Sequence, residues 1–248
     1  MELGVTVGES LEMVDVLGPE FDFVEIGIEE GGVPAEHPAT IRDRIDRVGC
    51  SLCVHLPFKQ DLVTPVPEIN RAIIDFLDRL LEWSAAAGAR KAVLHGTARN
   101  PHDMTLRETA EQQLSAIAER GGDRGVEVVV ENVGHQARGF QLSVLSELAG
   151  QTDTPVCFDI GHAYMEDGQD GIERFLKSAR KRISHLHVHD VRSRGDTHLP
   201  VGAGEIDYTP MAELLPNFDE TVAVEVFTDD QPLLVDSSER IANLLSGT

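Results

Sequence analysis

Eight short apolar runs, separated by longer stretches with helical spacing, constrain this chain more than any other feature. The runs cover residues 3–7, 21–26, 51–55, 91–95, 126–131, 155–159, 183–189 and 221–226. Helical patterns lie between them, among them 67–87, 105–120, 140–149, 171–181, 208–215 and 237–245. Gly88, Gly121, Gly122 and Gly125 punctuate the returns from helix to strand. Strands alternating with helices predict parallel βα units. At about 31 residues per unit, the length suits a closed (β/α)8 barrel, the TIM barrel, as a single domain over residues 1–248. The alternative is an open doubly wound sheet. Against it, Val7-Gly8-Glu9-Ser10 does not begin a G-x-G-x-x-G turn after the first run.

Residue parity supports closure. Leu52 and Val54 share one strand face, and Ser51, Cys53 and His55 the other. Val128 and Val130 likewise oppose Glu127, Val129 and Glu131. The same division recurs at 155–159 and 221–225. The bulky face is expected to meet the helices, and the smaller or polar face to line the barrel.

Composition narrows the partners. The net charge is -22, and of 21 basic residues only Lys59, Lys91, Lys177 and Lys181 are lysines. Such a charge keeps a protein soluble but makes its folded state repel itself, a cost that salt screens. A salt-accumulating, halophilic source is expected, with an ordinary acidic enzyme as the simpler account. Phosphate-backbone binding needs several Lys or Arg contacts, so nucleic acid is a disfavoured partner. No apolar run approaches the roughly 20 residues of a membrane span. MELGVTVGES lacks a basic stretch followed by an apolar one, and Cys50, Cys53 and Cys157 make no disulfide framework. The expectation is a cytoplasmic protein.

Polar residues collect at the ends of the runs. His55, His95, Glu131, Asp159 and Glu225 end runs or nearly do, and His187 lies in the seventh. His162, Asp196 and His198 follow closely behind. Active sites of barrels are built at the C-terminal mouth of the strands. Imidazoles and carboxylates converging there are ligands for zinc, manganese or iron. Taken singly, each has a plainer role. His55 or His95 could be a structural imidazole, Asp159 a helix cap, and Glu131 the partner of an arginine. Asp196 and His198 could order a loop. Taken together, nine such groups at one rim cost much desolvation unless a cation or partners compensate, which favours the metal reading. His37, His102 and His135 read as surface residues, and Cys50 and Cys53 as structural thiols. His185 and His189 share a strand face with His187 and compete with it for the ligand role.

The order and spacing of FDFVEIGIE, HLPF, the 67–87 helix, HLHVHD, DTHLPVGAGEIDY and VAVEVF resemble the xylose isomerase-like TIM-barrel superfamily. That superfamily contains sugar isomerases and epimerases as well as endonuclease IV. In the isomerase branch the resemblance implies one divalent metal on Glu131, Asp159, His187 and Glu225, with the two glutamates moving a substrate proton. Endonuclease IV implies a di- or trinuclear centre that adds His55, His95, His162, Asp196 and His198, and phosphodiester hydrolysis. The metal would be manganese, magnesium, iron or zinc, one to three per chain. We place the isomerase or epimerase first, with a small sugar or sugar phosphate as substrate. DTHLPVGAGEIDY resembles the form common in sugar phosphate isomerases/epimerases, and the rim connections read as short. Phe58 stands where endonuclease IV-like sequences often carry tyrosine. In the isomerase reading His162 and His55 stabilise charge on substrate oxygens, and Lys59 meets a phosphate or stays solvated. A barrel that binds metal without catalysis is the third reading. Substrate and oligomeric state stay open.

Overall fold

All eight runs form strands in the computed structural model, which describes residues 1–57, 59–134 and 138–246. They are β1 (Glu2–Gly8), β2 (Phe23–Gly27), β3 (Ser51–His55), β4 (Ala89–His95), β5 (Glu127–Glu131), β6 (Val156–Asp159) and β7 (Ile183–Val188). A small hairpin, β8 (Asp190–Arg192) and β9 (Gly195–Leu199), precedes the eighth barrel strand, β10 (Thr221–Val224). The barrel strands pair in parallel in the closed order β1-β10-β7-β6-β5-β4-β3-β2, so the open sheet is excluded. A helix follows each: α1 (Leu11–Leu17), α2 (Pro38–Val48), α3 (Pro67–Ala87), α4 (Arg107–Gly122), α5 (Leu142–Thr152), α6 (Ile160–Ala179), α7 (Thr209–Leu214) and α8 (Gln231–Ser246).

Apolar periodicity explains the layers. In α3, Ile74, Leu77, Leu81, Ser84 and Ala87 are buried at spacings of three and four, one stripe against the sheet. Gly88, at φ 90°, ends that helix in a left-handed turn. Leu52, Val54, Val128, Val130, Phe158, Val222 and Val224 fill the layer between strands and helices. The opposite parity lines the barrel, as Phe23, Cys53 and Ala223 in one cluster and Val93, Val129 and Cys157 in another. The interior is therefore less uniformly small than parity suggests. Phe23 fits because Gly4 is its register partner on β1, where a Cβ would come within 2.3 Å of the ring.

Two segments differ from the sequence-based expectation. α6 begins directly after Asp159 rather than at 171, and breaks at Gly168 (φ 66°, ψ -162°). Gly161, Gly168 and Gly171 weaken the helical pattern there, whereas the Asp159 carboxylate caps the first turn by accepting from the His162 N–H. The seventh rim connection is not short, running from residue 189 to 208 and carrying the β8–β9 hairpin. Ser193 and Arg194 both have positive φ, the type I′ geometry that suits a tight hairpin. Asp190 organises the rest of this connection, accepting from the N–H groups of Val191, Gly202 and Ile206 at 2.9, 3.0 and 3.1 Å. Much of the VGAGEIDY segment is thus a wrap around one buried carboxylate. Phe58 and His135 lie outside the described residues. Among the described residues no helix is long and apolar enough to cross a membrane.

The acid excess of the sequence motivates a measurement. Unfolding midpoints should rise from low salt to molar potassium chloride, because screening relieves repulsion within the folded state. A gain of about 2 kcal/mol would appear as a shift of roughly 4–8 °C. A midpoint indifferent to salt would assign the acidity another cause.

Candidate metal centre

Strand register assembles the site. Asp159 on β6 stands beside His187 on β7, and His95 on β4 beside Glu131 on β5. His55 closes β3 opposite Gly27. Glu225 follows β10 directly, tied by its N–H to the Val188 carbonyl at 3.1 Å. His162 sits in the first turn of α6, and Asp196 and His198 lie on β9. All nine residues therefore reach the same mouth of the barrel. His55, His95, Glu131, His162, Asp196, His198 and Glu225 line one cavity of about 720 Å³. Asp159 and His187 lie beneath it, fully buried. A second cavity, of about 690 Å³, lies beside α5 and α6 and is lined by none of the nine.

At the centre is one ring nitrogen. His187 Nδ1 lies 3.2 Å from Glu131 Oε1, 3.2 Å from Glu225 Oε2 and 3.9 Å from Asp159 Oδ2. One nitrogen cannot serve three carboxylates by hydrogen bonding, and Glu225 Oε2 is a buried oxygen without a hydrogen-bond partner. Ligand atoms of Glu131, Asp159, His187 and Glu225 all lie within 4.8 Å of one another. Three carboxylates and an imidazole at that spacing fit a divalent cation. The mostly oxygen donor set suits manganese, magnesium or iron. Cys157 also lies near His187, but burial pushes its thiol well up, which disfavours it as a ligand.

Glu131 has a second set of neighbours. Its Oε2 is 3.2 Å from His55 Nε2 and 3.0 Å from His95 Nε2. Burial opposes its ionisation, yet His95, His187 and His162 outweigh that and hold its carboxyl well below the usual range. For His55, burial alone would lower the pKa, but the Glu131 hydrogen bond and charge raise it to about 9. Asp159 is also held low, since His162 and His189 outweigh its burial.

These shifts set a pH window for metal-free protein. A raised His55 contributes stability fully below its unfolded pKa of about 6.5 and loses it as pH rises through 9. A lowered Asp159 contributes above about pH 4 and loses its share on acidification. The melting point of metal-free protein should therefore fall between about pH 6.5 and 9, reflecting at most about 3 kcal/mol from His55. A flat or rising profile there would show that His55 is not held by Glu131.

The remaining donors form a third group. His162 Nε2 and His198 Nε2 lie 3.6 and 2.9 Å from Asp196 Oδ1. His189, one of the two histidines that strand parity left competing with His187, joins them as a fourth candidate donor. Its ring packs on Gly161, where a Cβ would come within 2.0 Å of the imidazole. His198 has φ 40°, uncommon for histidine, and this turns its ring under Phe227, whose centroid is 3.9 Å away. Arg194 clamps the hairpin to α6 through the Tyr164 and Glu166 carbonyls, at 3.3 and 3.1 Å. Three imidazoles share one device. Nδ1 of His55, His162 and His198 lies 2.9, 3.1 and 2.9 Å from the carbonyls of Leu56, Asn132 and Glu225. With Nδ1–H donated to the main chain, Nε2 of His55 is left facing Glu131 and that of His198 facing Asp196, whereas His162 also has Nδ1 3.4 Å from Asp159 Oδ2 and 3.5 Å from Glu131 Oε1.

The profile of the xylose isomerase-like TIM barrel family matches residues 16–244. The chain belongs to this family. An uncharacterized protein of Methanocaldococcus jannaschii is 23% identical over 260 residues, covering 97% of this chain and 99% of its own. Among solved structures, a D-tagatose 3-epimerase-like protein superposes with TM-score 0.81 at 22% identity, covering 99% of this chain and 97% of that one. A D-psicose 3-epimerase from Clostridium cellulolyticum H10, solved with D-tagatose, gives 0.77 at 17% identity, with 99% and 98% covered. At these identities the likeness shows the fold.

This xylose isomerase-like barrel also holds polar residues that strand ends alone do not reveal. Glu25, in the middle of β2, is fully buried between His185 and His187. A signal for it exists in the sequence, since a charge inside the apolar run FDFVEIG shares parity with Phe23 and must point inward. His185 binds Glu25 and Thr221 rather than any of the nine residues.

Proposed function

We propose that the chain is a divalent-metal-dependent isomerase or epimerase of a small sugar. The observation that carries this is the pair of glutamates, Glu131 and Glu225, converging on His187 Nδ1 at the floor of a cavity of about 720 Å³. The solved relatives named as 3-epimerases support the same reading. Among the described lining residues none is Lys or Arg, while Glu9, Glu131, Asp196, Glu225 and Asp229 are acidic. That lining favours a neutral sugar over a sugar phosphate. Phe227, 72% exposed at the rim, offers an apolar plate to the C–H face of a sugar ring.

Glu131, Asp159, His187 and Glu225 would hold the metal, which supplies positive charge to grip adjacent substrate oxygens and polarise a carbonyl. Glu225, 12% exposed at its side chain, takes the proton from the carbon beside that carbonyl. Glu131 returns a proton that protonated His55 supplies to it across 3.2 Å, with His95 orienting the carboxylate from 3.0 Å. His162 and His55 face the cavity and stabilise negative charge on substrate oxygens.

The second reading is a phosphodiester hydrolase with two or three metals. It is favoured by the groups around Glu131 Oε2 and Asp196, which supply donors beyond one cation's needs. Elemental analysis of purified protein, followed by a panel of ketoses and an abasic DNA duplex, separates the two. One metal per chain with interconversion of ketose epimers supports the isomerase. Two or three metals with duplex cleavage would replace it with the hydrolase.

A further inference from the structure

His187 is held differently from its neighbours. His55 and His198 each bond Nδ1 to a main-chain carbonyl and turn Nε2 to a carboxylate, Glu131 and Asp196 respectively. His187 is reversed, with Nδ1 facing the carboxylates and Nε2 facing Glu25, 3.1 Å from Oε1 and 3.3 Å from Oε2. Glu25 comes from β2, inside the barrel, and Thr6 Oγ1 reaches its Oε1 at 3.5 Å.

The far side of Glu25 is also ordered. His185 Nε2 lies 3.1 Å from Glu25 Oε2, and His185 Nδ1 lies 2.6 Å from Thr221 Oγ1. The Thr221 hydroxyl has two acceptors in reach, His185 Nδ1 and the Ser184 carbonyl at 3.0 Å. Glu25, as a carboxylate, can only accept, so His185 Nε2 carries the ring proton, and the neutral ring is left to accept the Thr221 hydroxyl at Nδ1. His185 Nδ1 then accepts, its Nε2–H donates to Glu25, and Glu25 meets a second N–H from His187 Nε2. Every donor points toward the buried carboxylate, which leaves the His187 Nδ1 lone pair aimed at Glu131, Asp159 and Glu225.

We propose that Glu25 is a positioning residue that fixes His187 as the Nε2–H tautomer and raises the donor strength of its Nδ1 toward a divalent metal, with His185 and Thr221 holding Glu25 in place. The inference rests on the metal reading above and deepens it. A carboxylate behind a metal-binding imidazole orients the ring and increases its basicity, and losing one typically costs 10–100-fold in metal affinity. Here the carboxylate is sealed from solvent, so water cannot take over its part.

The test is Glu25→Gln, nearly isosteric, titrated with manganese alone by calorimetry beside the wild-type chain. Affinity should fall by about 10–100-fold, with the far-ultraviolet circular dichroism unchanged. Zinc-loaded wild-type protein, labelled with nitrogen-15 at histidine, supplies a second measurement that needs no variant. His187 should show a protonated Nε2 and a metal-bound Nδ1. Equal manganese affinity in a folded Glu25→Gln variant would overturn the proposal and leave the metal reading standing. So would the opposite tautomer in the wild type, which decides the matter if the variant does not fold. A wild-type chain that binds no manganese or zinc would overturn both. Neither readout uses a sugar, so failure of the substrate assignment is seen separately.

Discussion

Glu225→Gln should lower turnover by about 10²–10⁴-fold, the usual worth of a positioned acid–base group. The substitution removes a negative charge and a proton acceptor with little change in volume. Glu225 follows β10 directly, and its N–H stays bonded to Val188, so the backbone has no cause to move. Its Oε2, 3.2 Å from His187 Nδ1, lacks a hydrogen-bond partner, which is why a neutral amide there should also weaken metal binding. Turnover of the identified ketose, metal content and circular dichroism check the three parts. A folded variant with near-normal metal and turnover would make Glu225 a structural carboxylate and end the proton-transfer scheme.

Chelation should be the largest single perturbation of stability. Glu131, Asp159, His187 and Glu225 crowd three carboxylates around one imidazole, an arrangement relieved by a cation and strained without one. A metal bound only by the folded chain, at 1,000 times its dissociation constant, adds about 4 kcal/mol. For a chain of this size that is roughly 8–16 °C in melting point. Stripped protein should melt lower by about that amount, recover on addition of manganese, and release protons as it does so, because His187, held protonated against its burial by the surrounding carboxylates, must shed its proton to bind. Identical melting curves with and without metal would show that the cluster is a self-compensated ionic core.

The barrel was legible because period-2 parity survives in nearly every run. Leu52 and Val54 against Cys53 and His55 already separate the helix-facing from the interior side. The candidate site was legible because His55, His95, Glu131, Asp159, His187 and Glu225 lie at or beside the ends of barrel strands, and parallel register brings those ends together at one mouth. Other parts obey rules that local pattern does not carry. The first half of α6 begins on a capping carboxylate amid glycines, with too little apolar spacing to announce a helix. The β8–β9 hairpin turns on Ser193 and Arg194 in place of Asn-Gly, and its strand alternation is hidden by charge. His189 could not be sorted from His187 because both face inward. Which carboxylates each of them meets depends on Glu25 and Gly161, from other parts of the chain.

The division of labour between barrel and hairpin bears on how such enzymes diversify. Glu131, Asp159, His187 and Glu225 are built into the ends of barrel strands, or one step beyond, where any displacement disturbs the sheet. Asp196 and His198 sit on an appendage inserted between β7 and α7, braced by one arginine against the α6 break. Shortening or exchanging that appendage would remove donors from the rim without cutting a barrel strand. The barrel frame and the appendage are physically separable, so, under the proposed metal reading, editing a single surface excursion would change how many cations the rim can hold.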